Sequence, residues 1–234
     1  MKASPVKWPW LLQLAFVIGL FVVAEAHAEL AKVRAGVLSY GTVNWELNVV
    51  KHHDLDRKEG VELLVTKLGG KNASAVALQG GAVDVIVTDW IWVSRQRAAG
   101  ADFTFVPHSV AVGGLMVRPD AGIKSIGDLR GRKIGIAGGP VDKSWLMLRA
   151  YAMKSIGADL KNIATPTFAA PPLLNKIMLN GEIPAVLNFW HYTARLKSAG
   201  MVELISVTDL LPADDTSYGF DNIAGLLGVS PTLM

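Results

Sequence analysis

The chain has 234 residues, 51% apolar and 18% charged, with a formal charge of +3 and no cysteine. Without cysteine there is no disulfide framework, thiolate metal site, cysteine nucleophile or lipid-modified cysteine. The weak, scattered positive charge forms no basic stripe, which argues against a nucleic-acid partner.

Residues 1–28 read as a cleavable secretory signal peptide. Lys2 and Lys7 give a positive start, an apolar run from Leu11 to Ala24 is broken only by Gln13 and Gly19, and Ala26-His27-Ala28 offers a small-x-small cut site. At about 14 residues that run falls short of the roughly 20 that a bilayer span needs. Loss of Lys2, Lys7 and Glu25 takes 23 basic and 20 acidic side chains to 21 and 19, so the exported body stays near neutral. It is long enough for one large domain or two small lobes.

Behind the signal, short apolar runs alternate with helical patterns. Lys32–Leu38 reads as a strand, Asn44–His53 as a helix and Val61–Leu68 as a second strand ending at Gly69-Gly70. Asn72 is expected to cap the next helix, which Gly80-Gly81 closes. Val83–Val87 reads as a near-continuous apolar strand, the mark of a sheet covered on both faces. Further on, Ser125-Ile126-Gly127-Asp128 looks like a capping box, and Arg132–Ala137 is a strand ending at Gly138-Gly139-Pro140. Asp142 can cap a long helix with Trp145, Leu148, Ala152 and Ile156 on one face. Ile163–Phe168 fits a strand, Pro171-Pro172 starts a helix that Gly181 ends, and Pro184–Phe189 is a buried strand. Strands alternating with helices of this length imply parallel βαβ units.

The two halves overlay at an offset of 100 residues: Trp45 falls on Trp145, Gly81 on Gly181 and Trp90 on Trp190. Two similar α/β lobes are therefore expected, each of a size normal for a small domain. Ligands of parallel α/β sheets bind beyond the carboxyl ends of the strands. Those ends nominate Ser39, Tyr40, Gly70, Lys71, Asn72, Thr88, Asp89 and Trp90 in the first half, and Gly139, Asp142, Asn188 and Trp190 in the second. Backbone N–H groups at helix starts there favour anionic groups. Trp90 and Trp190 either wall a pocket or pack in a core, whereas Trp45 and Trp145, in first helical turns, are expected in the core. Lys71 either pairs with an anion or sits in a solvated loop. Asp89 and Asp142 either meet a cationic group or cap helices. No G-x-S-x-G, G-x-x-x-x-G-K-[ST] or H-E-x-x-H signature is present. No catalytic residue and no metal ligand is nominated. His52 and His53 are adjacent and point apart on a helix, and His108 and His191 are isolated.

Three segments carry a family resemblance. Ala77–Trp90 (ALQGGAVDVIVTDW), Ser125–Ile136 (SIGDLRGRKIGI) and Pro172–Trp190 resemble, in order and spacing, periplasmic substrate-binding proteins of ABC importers. The branch is the nitrate/sulfonate/taurine one, which shares a domain with thiamine-pyrimidine-precursor proteins. The resemblance implies an α/β, two-lobed flytrap fold of type II, each lobe a mainly parallel sheet flanked by helices. It divides the chain into residues 29–114 (lobe 1), 115–226 (lobe 2 with crossover strands) and 227–234 (start of a return segment). The crossovers fit Gly114–Arg118 and Ala224–Val229.

The implied activity is that of a monomeric periplasmic receptor, without cofactor, that delivers a small anionic solute to an ABC transporter membrane permease. Two departures stand out: Pro184 where the family usually has an acidic residue, and an end at Met234 where members continue into bracing helices, which implies a C-terminally truncated receptor. The rival reading is a small-molecule enzyme on the same fold, of lyase or pyrimidine-precursor type. The pyrimidine-synthesising relatives use a cysteine-containing segment, and this chain has no cysteine.

Overall fold

The computed structural model describes residues 29–210. The signal peptide expected at 1–28, the return strand expected at Ala224–Val229 and the segment 227–234 lie outside the described residues. Strand β1 (Ala31–Leu38) pairs in parallel with β2 (Val61–Leu68) over its whole length and with β3 (Val85–Ile86) at its centre, giving the order β2-β1-β3. Helix α1 (Val43–His52), the short α2 (Leu55–Lys58) and α3 (Lys71–Gln79) connect these strands, and α4 (Trp90–Ala98) follows them.

The second sheet has five strands in the order β6-β5-β7-β4-β8. Strands β5 (Lys133–Ala137), β6 (Thr165–Ala169) and β7 (Ala185–Asn188) run parallel, while β4 (Gly114–Val117) lies antiparallel between β7 and β8 (Val202–Ser206). Helices α5 (Lys143–Ile156) and α6 (Leu160–Ile163) precede β6; α7 (Pro171–Leu179) precedes β7 and α8 (Trp190–Ser198) precedes β8. One face of this sheet buries Leu115, Ile134, Ile136 and Leu187 against Trp145 and Leu148 of α5. The other buries Met116 and Val186 against Leu174, Met178 and Leu196 of α7 and α8. Ile91 of α4 belongs to the first of these clusters, with Trp90 packed against it, so the core of lobe 2 reaches into lobe 1.

The repeat at 100 residues is visible in three dimensions. Helices α3 and α7 span 71–79 and 171–179, and α4 and α8 span 90–98 and 190–198. The sheet cores β2-β1-β3 and β6-β5-β7 share one order. The turns repeat too, with positive φ at Gly81 and Gly181 and again at Gly100 and Gly200.

Four sequence expectations need correction. Val83–Val87 is not a strand covered on both faces: β3 is two residues long, and Val85 is 46% exposed. Its counterpart β7 is buried throughout because β4 occupies its far edge, whereas β3 has no second neighbour among the described residues. Trp45 is 56% exposed, not core like Trp145 at 1%, because α1 buries none of its residues whereas α5 packs into the lobe 2 core. Asn72 is not a cap; the extended backbone of Gly70 takes that place and the helix begins at Lys71. The strand expected over Ile163–Phe168 starts later, because Asp159 accepts from the Lys161 amide and starts α6, which ends at Ile163.

Candidate functional site

A cavity of about 210 Å³ lies where the carboxyl ends of strands from both sheets meet. Lobe 1 contributes Leu38 and Tyr40 after β1 and Gly69, Gly70, Lys71 and Asn72 after β2. Lobe 2 contributes Gly138 and Gly139 after β5, Phe168 and Ala169 from β6, Ala170 and Pro171 at the start of α7, and Phe189 after β7. This is the place where open parallel sheets bind ligands, because helix starts and loop amides converge there.

Each loop is held for a local reason. The Tyr40 hydroxyl donates to the Gly69 carbonyl at 2.7 Å, tying the end of β1 to the end of β2. Burial, with Tyr192 nearby, pushes the Tyr40 phenol above its ordinary pKa, so it remains a neutral donor. Gly70 brings no capping side chain to α3, so the first amides of that helix, which have no intrahelical partners, remain available. The neighbouring helices differ. Asp89 accepts from the Trp92 amide at 2.9 Å and Asp142 from the Ser144 amide at 2.9 Å, so α4 and α5 carry their own anions at their starts.

Lys71 links the two lobes. Its ammonium donates to Asp89 at 3.2 Å in lobe 1 and to Asp142 in lobe 2, and it sits 5.6 Å from the centroid of the Phe189 ring. Burial opposes a charged lysine here, yet the Asp142 and Asp89 carboxylates outweigh it and hold the ammonium above its ordinary pKa. Lys143 lies in the same field: burial pushes its pKa down, Asp89 opposes this, and the Lys71 charge adds to the depression.

Of the nominated residues, Tyr40, Gly70, Lys71, Asn72 and Gly139 line the cavity, and Asp89 and Asp142 meet it through Lys71. Ser39 instead donates to the Leu68 carbonyl. Thr88 does not line the cavity. Trp90 packs against the lobe 2 core, and Trp190 stands beside His191, partly exposed. Asn188 is buried and used internally: its amide donates to the Pro171 carbonyl and the Asn175 side chain, and its oxygen accepts from the Phe189 amide. It positions two wall residues without touching the cavity. Phe168 and Phe189 were not nominated, although both are aromatics at strand ends, the signal that singled out Trp90 and Trp190.

His191, next to this wall, has both ring nitrogens buried without a hydrogen-bond partner. Burial, with Arg195 close by, lowers its pKa below the ordinary 6.5. The unfolded chain therefore binds this proton first as pH falls, and stability is lost from about pH 6.5 downward until the folded-state pKa is reached. Comparing thermal melts of the unaltered protein and His191→Gln between pH 7.5 and pH 5 tests this. The variant is expected to lose less of its midpoint over that range, and parallel curves would refute the assignment.

Among the described residues no group of His, Asp and Glu is arranged to hold a metal ion, and no helix is long and apolar enough to cross a membrane. No curated protein matches the chain by sequence. Solved structures do match by fold. The alkanesulfonate-binding protein SsuA of Xanthomonas axonopodis pv. citri, bound to MOPS, aligns with a TM-score of 0.61 at 18% identity, covering 88% of this chain and 82% of that one. The periplasmic aliphatic sulphonate binding protein SsuA of Escherichia coli aligns at 0.59 and 19%, covering 87% and 81%. The ligand-binding component of an ABC-type import system from Staphylococcus aureus, with zinc bound, aligns at 0.59 and 15%, covering 78% and 62%. These likenesses show the two-lobed periplasmic-binding-protein fold. The family model described as NMT1/THI5 like matches residues 42–218, most of the chain, and the chain therefore belongs to the NMT1/THI5-like family.

Proposed function

We propose that the chain is a periplasmic receptor that captures a small organic anion of the sulfonate type and presents it to an ABC transporter permease. The observation that carries this reading is the cavity between facing strand ends, with an uncapped helix start on one side and an apolar wall on the other. The opening amides of α3 suit an anionic head group. Leu38, Phe168, Pro171 and Phe189 suit a short carbon body. At about 210 Å³ the cavity falls below the roughly 300–1,000 Å³ of drug-sized sites, which fits a solute of a few heavy atoms. The exported location and the single-chain state rest on the N-terminal pattern and the family resemblance. The fold supports a receptor that closes its lobes over solute and excludes water.

The test is a thermal-shift and calorimetric screen of the exported protein against alkanesulfonates, taurine, nitrate, pyrimidines and amino acids. A true ligand at 100 times its dissociation constant is expected to stabilise the fold by about 2.7 kcal/mol. Short alkanesulfonates should give the largest shift and nitrate, without a carbon body, a smaller one. No shift with any solute, together with turnover of one, would replace the receptor with an enzyme on the same fold.

A further inference from the structure

Lys71, Asp89 and Asp142 form a cross-lobe charge cluster with an unusual division of labour. The side chains of Asp142 and Asp89 are 1% and 9% exposed, so neither carboxylate can rely on solvent. Each spends one oxygen on a helix start and points the other at the same ammonium. The Phe189 ring approaches that ammonium as well. Two buried carboxylates and an aromatic ring are the components of an ammonium-binding box. Here a tethered cation from the protein's own chain fills it, one acid coming from each lobe.

We infer that Lys71 is a built-in counter-cation that latches the two lobes and makes the cleft a receptor for anions instead of for alkylammonium solutes. Lys71 sets its one positive charge against both carboxylates, to each of which it donates a hydrogen bond. An anion at the start of α3 then meets carboxylates already engaged by an ammonium, and is held by backbone amides and wall contacts. Removing Lys71 leaves two buried carboxylates beside the cavity without their shared ammonium, which repel an anion and attract a small cation. The anion half of this inference rests on the receptor reading above; the latch half does not.

Lys71→Ala vacates the box and leaves room for a free amine. Its melting midpoint is expected to fall by about 10 °C, because both buried acids lose their shared partner. Ethylammonium or propylammonium at high millimolar concentration should then recover about 5 °C of that loss in Lys71→Ala and nothing in the unaltered protein. Any sulfonate that binds the unaltered protein should bind the variant at least 10-fold more weakly, and Asp142→Asn should bind it at least as tightly as the unaltered protein. The alkylammonium arm requires no anionic ligand. If it succeeds while no anion binds any form, the latch stands and the receptor reading falls. If Lys71→Ala melts as the unaltered protein does, or is insensitive to both amines, the latch is overturned. Should Lys71→Ala fail to fold alone, folding only with alkylammonium present supports the inference, and failure in its presence refutes it. Equal losses of anion affinity in Lys71→Ala and Asp142→Asn would refute the charge role.

Discussion

Gly113→Ala is expected to lower stability by about 3 kcal/mol, a fall of roughly 6–12 °C in melting midpoint for a chain of this size. Gly113 sits directly before β4, where the chain enters the second sheet, and its carbonyl accepts the Val207 amide at 2.9 Å. A β-carbon there would stand 1.6 Å from the Asn188 carbonyl oxygen and 2.7 Å from its carbon. The obstacle is backbone, so no rotamer change relieves it. Nor can the obstructing backbone retreat, because the Asn188 side chain is bonded to Pro171, Asn175 and the Phe189 amide. Whatever yields must move Phe189, a wall of the cavity, so solute affinity should fall together with stability. Gly127→Ala is the control: a β-carbon there comes no nearer than 3.5 Å to any neighbour, and its midpoint should change by less than about 2 °C. Equal midpoints for the two variants would show that the sheet junction at Gly113 has slack.

Much of this fold was readable in the sequence, for identifiable reasons. β5 and β7 are short apolar runs bounded by turn residues, and central strands of a covered parallel sheet leave that trace. The capping box from Ser125 to Asp128 is local, and it forms as expected. The offset of 100 residues places α3 over α7 and α4 over α8 because both halves repeat one supersecondary plan.

What was not readable depends on neighbours distant in sequence. Val83–Val87 has the composition of a covered strand, but burial is decided by whether a further strand lies alongside, as β4 does for β7 and none does for β3 among the described residues. In β8, the segment Glu203–Ser206 is strand because β4 pairs with it; Phe103–Val106, 100 residues earlier, has no such partner and is not strand. The site divides along the same line. Strand-end position nominated Tyr40, Gly70, Lys71, Asn72 and Gly139. Strand ends alone could not reveal that Asn188 turns inward, or that Phe168 and Phe189 instead of Trp90 and Trp190 line the cavity. Nor could they show that Lys71 reaches an acid 71 residues away.

Gly138→Ala should cost the site more than the fold. The backbone of Gly138 lies at φ +90°, a region side chains rarely adopt, and a β-carbon would come within 2.3 Å of the Asp142 carboxylate. Strain of that kind costs about 1–2 kcal/mol by itself. The rest depends on Asp142, whose carboxylate caps the start of α5 through the Ser144 amide and bonds Lys71 across the cleft. Pushing it aside costs the cap about 1 kcal/mol and releases the Lys71 bond to lobe 2. Gly139→Ala separates these contributions: φ is +101° there, but a β-carbon meets nothing within 4 Å, so only the strain remains. Gly139→Ala is therefore expected to lose about 1–2 kcal/mol and keep the Lys71–Asp142 link, while Gly138→Ala loses about 3 kcal/mol and the link with it. Small-angle scattering should report the difference as a larger radius of gyration for Gly138→Ala alone, because the lobes part where Lys71 no longer bridges them. Identical radii with identical melting midpoints would mean that the Asp142 carboxylate has room to move and that Gly138 is retained for backbone conformation only.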